Sequence, residues 1–229
     1  MTKAIRFAAI MALLAPVSCT SKTPKTETEK VSYAIGSDIG SKLAEIKDQI
    51  DLGMLNQGMA DKINGKESKM TPAEAQAVME IFGQKMQQRE MTKQSAAGEK
   101  NKAEGAAFLA KTKANSKVKA TKSGLLYEVI KEGTGRKPKP SETVRVHYAG
   151  TLIDGTEFDS SIKRGQPAEF GVKNVIPGWT EALQLMPVGS KWRLVIPSNL
   201  AYGEHGAGGQ IGPNAVLIFE VELLDILKK

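Results

Sequence analysis

From Glu29 to about Lys66 the apolar residues Ile35, Ile39, Leu43 and Ile46, then Leu52, Leu55, Met59 and Ile63, recur at spacings of three and four. That period predicts a pair of amphipathic helices. Asp51 is placed to cap the second, and Asn64-Gly65 is a stop signal. Thr71-Pro72-Ala73-Glu74 is a stronger start: a capping box with Pro at the first helical position satisfies orphan N–H groups from both directions. The helix that begins there is apolar on one side through Ala75, Val78, Met79, Ile81, Phe82 and Met86. From Gln87 to Glu104 it is polar nearly all round, apart from Met91 and several Ala. No Pro interrupts the chain between Pro72 and Pro138, so one connecting helix can run to about Ala114, where Phe108 and Leu109 give its far end something to dock. Gly83, Gly98 and Gly105 each cost up to about 1 kcal/mol in a helix interior and mark places for bends or fraying.

After Thr121 the period changes to two. Short runs at 125–130, 143–151, 191–196 and 215–224 read as strands, and several alternate: Val144, Val146 and Tyr148 share one face while Arg145 and His147 share the other. Turn residues separate them at Gly133-Thr134-Gly135, Asp154-Gly155, Gly165-Gln166-Pro167 and 206–213. One short helix is signalled, Trp179 to Met186 after Pro177-Gly178. The second half is therefore α+β, an antiparallel sheet of four to six strands wrapped on one short helix.

The start of the chain reads as an address. Lys3 and Arg6 precede an apolar run from Phe7 to Val17, too short to span a bilayer, and the small Ser18 precedes Cys19, which together make a secretory signal. Two readings stand: ordinary cleavage near Ser18 to Thr20, or lipidation of Cys19 with the polar stretch 20–30 as a tether. The formal net charge of +7 invites a nucleic-acid partner. Its location argues otherwise. Residues 85–122 hold ten Lys or Arg against three Glu and a single aromatic, Phe108, which suits a solvated connecting helix and leaves no stacking platform for bases. A single Cys and only two His, His147 and His205, leave no disulfide framework and no ligand set for a metal. The N-terminal helices, Met-rich and about 60 residues in all, are marginal alone. They would gain a core by pairing with a second copy, which predicts a homodimer.

Five motifs in the second half carry a specific resemblance. Val144-Arg145-Val146-His147-Tyr148, Gly155-Thr156-Glu157-Phe158-Asp159-Ser160-Ser161, Val175-Ile176-Pro177-Gly178-Trp179, Leu200-Ala201-Tyr202-Gly203 and Leu217-Ile218-Phe219-Glu220-Val221 resemble, in order and spacing, the FKBP-type peptidyl-prolyl cis-trans isomerase domain. Pro167-Ala168-Glu169-Phe170 and the segment 208–214, behind a helical half and a signal, are similar to the bacterial macrophage infectivity potentiator (Mip) and FkpA branch. The resemblance implies the following organisation: signal 1–19, tether 20–30, dimerisation helices 31–70, connecting helix 71–114 and isomerase domain 120–229. It also implies a proline pocket with Tyr148, Phe158, Asp159, Val175, Ile176, Tyr202 and Phe219 as walls and Trp179 as floor. Phe170 and Ile211 are added as lining, and Arg164 as the residue that contacts Asp159. Ser160 and Ser161 read as turn formers, and Trp192 as packing.

Such chemistry needs no cofactor, metal or nucleophile. Rotation about an X-Pro bond meets a barrier of about 18 to 20 kcal/mol that arises from C–N double-bond character. A twisted amide has lost charge separation, so a dry aromatic wall disfavours it less than the planar form. The resemblance assigns the backbone N–H of Ile176 to a substrate carbonyl. Asp159, set among apolar residues, is expected to be buried and to need a partner. The activity implied is X-Pro isomerisation in exported proteins, with chaperone action from the dimeric arms, in the periplasm or outer membrane of a Gram-negative bacterium and with lipid as the only membrane attachment. The alternative is a catalytically weak peptide-binding chaperone or adhesion module.

Overall fold

A computed structural model describes residues 23–227. The signal and lipidation readings, Cys19 included, lie outside them. Contacts divide the chain into one unit up to Glu74 and another from Ala75 onward.

In the first unit, α1 (Glu27–Leu43) runs into a 3-10 turn (Ala44–Gln49), and α2 (Leu52–Ile63) follows. Thr26 and Glu29 form a capping box on α1. The Asp51 side chain accepts from Met54 N at 3.0 Å on α2. The α2 helix stops where Gly65 takes φ +69, a left-handed position that glycine adopts freely. Neither α1 nor the 3-10 turn buries a single residue, and α2 buries only Asp61. Asp61 accepts from Gln57 Nε2 at 2.9 Å and lies 3.5 Å from Lys66 Nζ.

One unbroken helix of 42 residues, α3 (Pro72–Lys113), starts at the Thr71–Glu74 capping box, with Thr71 N to Glu74 Oε2 at 2.8 Å and Glu74 N to Thr71 Oγ1 at 3.2 Å. Its glycines do not interrupt it. Gly98 and Gly105 are its two buried residues, at points of close approach to the sheet unit.

Seven strands follow, three more than the alternating runs mark: β1 (Val118–Ala120), β2 (Leu126–Lys131), β3 (Thr143–Thr151), β4 (Glu157–Ser160), β5 (Ala168–Gly171), β6 (Lys191–Ile196) and β7 (Leu217–Leu227), with helix α4 (Pro177–Leu185) between β5 and β6. They form one antiparallel sheet in the order β1-β2-β6-β7-β3-β4, with β5 paired to the first half of β3. The added strands β1, β4 and β5 are three or four residues long, too short for a period of two to show. The last strand runs three residues past the end of its alternation at Leu224. The register steps from Val146↔Leu223 to Arg145↔Asp225, so Leu224 is a bulge that resets the phase and lets Ile226 face inward.

The sheet has two apolar faces. On one, Val144, Val146, Leu194, Leu217, Val221 and Leu223 pack around Leu183 and Met186 at α4, all almost fully buried. On the other, Leu126, Val195, Val216 and Ile218 meet Phe108 and Leu109 near the end of α3. Trp192 lies in the first core, its ring stacked on Tyr127 at 4.4 Å. Among the described residues no helix is long and apolar enough to cross a membrane.

Candidate active site

The strand pairings bring the aromatic residues together. Tyr148 near the middle of β3 lies across from Val221, and Gly150 across from Phe219 on β7 and Asp159 on β4. Pro177-Gly178-Trp179 opens α4, with Pro at its first position, so Trp179 is seated by the first turn of the helix. Trp179 is only 4 % exposed and sits at the centre of the group. Its ring meets Phe219, Tyr148 and Phe170 edge to face at 5.2, 5.3 and 5.7 Å, and Phe158 meets Phe219 edge to face at 5.5 Å. Edge-to-face pairs of this kind add to simple area burial. Val175, Ile176, Phe158 and Phe170 are half-buried against the same cluster, and Ile211 is buried in it.

Two glycines make this packing feasible. A β-carbon at Gly150 would lie 2.7 Å from Phe219 Cε1 and 2.8 Å from Phe158 Cζ, and Gly178 lies against Ile196 in the same way. An isolated glycine inside an alternating strand is the signal that finds the first of these. Ser161 is a second residue the sequence reading passed over. It is fully buried, its Oγ accepts from Tyr148 N at 2.8 Å and it lies 3.1 Å from His147 Nδ1, so it fixes the backbone that carries Tyr148.

Asp159 differs from the buried carboxylate expected. Its side chain is 41 % exposed and is tied to the Arg164 guanidinium and the Tyr148 hydroxyl, while Arg164 Nη2 also donates to Tyr148 Oη at 2.9 Å. The guanidinium lies over the Tyr148 ring, 5.5 Å from its centroid. Partial burial alone would raise the Asp159 carboxyl. Hydrogen bonds from Tyr148 and Arg164, and the Arg164 charge, outweigh it and hold the group below its ordinary value. The Tyr148 hydroxyl is pushed up by burial and by the hydrogen bond to Asp159. This triad is therefore an ionised carboxylate, a neutral phenol and a cation at neutral pH. Arg164 reaches the site through these two partners.

Ile176 is the residue before α4, with φ −57 and ψ 149. Its carbonyl accepts from Trp179 and Thr180 N at 3.0 Å each, and among the described residues its own N–H has no acceptor. Tyr202 stands apart from the ring cluster, in the turn that follows a 3-10 segment (Ser198–Leu200), and is 42 % exposed.

Two family models cover this chain: the FKBP-type peptidyl-prolyl cis-trans isomerase over residues 134–224, and the domain amino-terminal to it over residues 28–129. The chain belongs to the FKBP-type peptidyl-prolyl cis-trans isomerase family. It is 43 % identical to the outer membrane protein MIP of Legionella longbeachae over 99 % of this chain and 97 % of that one. It is 46 % identical to the FKBP-type isomerase FkpA of Aeromonas hydrophila over 93 % of this chain and 83 % of the relative. The crystal structure of FkpA from Escherichia coli superposes with a TM-score of 0.68 at 37 % identity, covering 89 % of this chain and 98 % of that one. The fold class is thus that of the family: a helical N-terminal region with a long helix, then the antiparallel FKBP sheet.

Proposed function

We propose that the cluster around Trp179 is the proline-binding site of a peptidyl-prolyl cis-trans isomerase. The observation that carries this is a buried indole ringed by Tyr148, Phe170 and Phe219, with the unpartnered Ile176 N–H at the start of the same helix. The prolyl ring rests on Trp179, and Phe158, Val175, Ile211 and Phe219 exclude water from it. The Ile176 N–H donates to a substrate carbonyl and so fixes the peptide while the C–N bond turns. No bond is made or broken. The rate gain comes from holding the twisted amide better than the planar one, against an uncatalysed exchange of tens to hundreds of seconds.

Asp159 has no acid or base role in this scheme. Its carboxylate, held ionised by Arg164, pins the Tyr148 hydroxyl and adds a fixed field beside the reacting amide. Tyr202 contributes its ring and hydroxyl from the exposed turn. The substrates are X-Pro segments of exported polypeptides, in keeping with the signal-like leader and the outer-membrane relative. The chain works in the bacterial envelope, and of the two readings of its leader, ordinary cleavage near Ser18 to Thr20 or lipid on Cys19, only the second anchors it to a membrane. A Cys19→Ala variant that still partitions with membranes would remove that anchor from the account.

The first unit supports a homodimer with chaperone action. Val31, Tyr33, Ile35, Leu52 and Met54 are all exposed in the single chain, and a second copy gives them a core.

Turnover is tested by a protease-coupled assay of an Ala-Pro tetrapeptide at low temperature. Tyr202→Ala is expected to lower kcat/KM by about tenfold, the equivalent of 1.4 kcal/mol. Binding of the peptide by the wild type without acceleration would favour the alternative, a peptide-holding module.

A further inference from the structure

The residues assigned to the proline site stand on two kinds of support. Tyr148, Phe158 and Phe219 belong to paired strands. Tyr202 and Ile211 do not: they lie in the turn 201–205 and the loop 206–214, where Ala207 and Ile211 exchange backbone hydrogen bonds only with each other, at 2.8 and 3.0 Å. The long helix holds this excursion from outside. Gly98, Asn101 and Gly105 fall at i, i+3 and i+7, one face of α3. Asn101 Nδ2 donates to the Pro213 carbonyl at 2.8 Å, and Asn214 Nδ2 reaches the Gly98 carbonyl at 3.5 Å. The flanking glycines permit that approach, because a β-carbon at Gly98 would lie 3.2 Å from Pro213 Cβ and one at Gly105 2.8 Å from Val216 Cγ2.

Asn214 joins the two ends of the excursion. Its backbone N–H donates to the carbonyl of Gly203, the neighbour of Tyr202, at 2.8 Å. Among the described residues it is the one non-glycine with positive φ, at 56°, a left-handed conformation that a surrounding structure must hold in place.

We propose that Asn101 and Asn214 are positioning residues for the isomerase reaction, through which α3 sets the turn of Tyr202 and the loop of Ile211. Neither touches substrate, and the proposal rests on the reading of Tyr202 and Ile211 as site residues. It gives α3 a part in catalysis beyond that of a connecting rod, and it gives Gly98 and Gly105 a purpose that helix propensity alone counts as a cost.

The test uses the full chain, two substitutions at Asn101 and Tyr202→Ala as the control on the site. Asn101→Asp keeps the shape and removes the donor; Asn101→Gln keeps an amide donor on a longer stem. Asn101→Asp is expected to lower kcat/KM for X-Pro peptides by about fivefold, the worth of one hydrogen bond. It is also expected to speed hydrogen exchange at the Ile211 and Asn214 amides while the β3 and β7 amides keep their protection. Asn101→Gln is expected to recover part of both effects. A general loss of stability would loosen the sheet amides as well. Unaltered loop exchange overturns the proposal, and so does faster loop exchange with unaltered turnover while Tyr202→Ala lowers it. If Tyr202→Ala also leaves turnover unaltered, the fault lies in the site assignment, and the proposal falls with it.

Discussion

The two units differ in where their apolar side chains end up. In the second unit Val78, Met79, Ile81 and Met91 on α3 are exposed, but from Leu125 onward residues such as Leu125, Val144, Leu183 and Leu217 are sealed between a sheet and a helix. Before Glu74, Val31, Ile35, Leu52 and Ile63 carry the same kind of side chain into solvent, Ile63 at 84 % exposure. Helix caps are well made in the first unit, with full capping boxes at Thr26 and Thr71. The contrast teaches that good local signals specify helices without specifying what covers them. The isomerase unit closes its own core. The helical unit leaves its apolar side chains uncovered.

Substitutions sharpen that contrast. Leu183→Ala, at the centre of the closed core, is expected to cost about 2 to 5 kcal/mol of stability in urea unfolding. A loss below 1 kcal/mol there would mean the core is less closed than described. Val31→Glu with Ile35→Glu, on bare α1, is expected to halve the mass seen by light scattering while turnover of a short X-Pro peptide stays unaltered. An unaltered mass would break the contrast from the other side. Gly150→Ala presses a methyl group onto Phe158 and Phe219 and is expected to cost about 1 to 3 kcal/mol, with a fall in kcat/KM because both rings must shift.

The smallest effect concerns pH. The folded Asp159 carboxyl sits below its ordinary value of 3.8, so its contribution is fully present above that value and is lost as pH falls through the depressed one. Turnover is therefore expected to be flat between about pH 5 and 8, with any decline from this group confined to acid below the ordinary carboxylate range. Asp159→Asn is expected to remove that acid limb. A midpoint near neutrality that disappears in Asp159→Asn would show that the carboxyl titrates in use.

Much of this was legible in the residues. The periods of three to four and of two mark α1, α2, α3, β2, β3 and β6 directly, and Thr71, Asp51 and Gly65 set boundaries through chemistry local to each. The motifs that carry Tyr148, Phe170, Trp179 and Phe219 name the residues whose rings meet at the indole. The less visible features depend on distant chain. β4 and β5 are short and exist through pairing with β3. The phase reset at Leu224 depends on a bulge. Gly98 and Gly105 look like flaws in a helix until Pro213 and Val216 are brought against them. Asp159 stays partly exposed and is held by Arg164, five residues on, which folds back to meet it. Ser161, a turn residue by composition, is recruited to the backbone of Tyr148 by strand pairing.

On the proposed reading, the cluster around Trp179 turns X-Pro bonds over. Exchange spectroscopy on an Ala-Pro peptide, with its cis and trans signals resolved and the full chain present in catalytic amount, reads that directly and needs no coupled protease. Cis–trans exchange cross-peaks are expected with the wild type, and their strong reduction with Trp179→Leu. A wild type that binds the peptide yet produces no exchange cross-peaks, or a Trp179→Leu variant as active as the wild type, would contradict it.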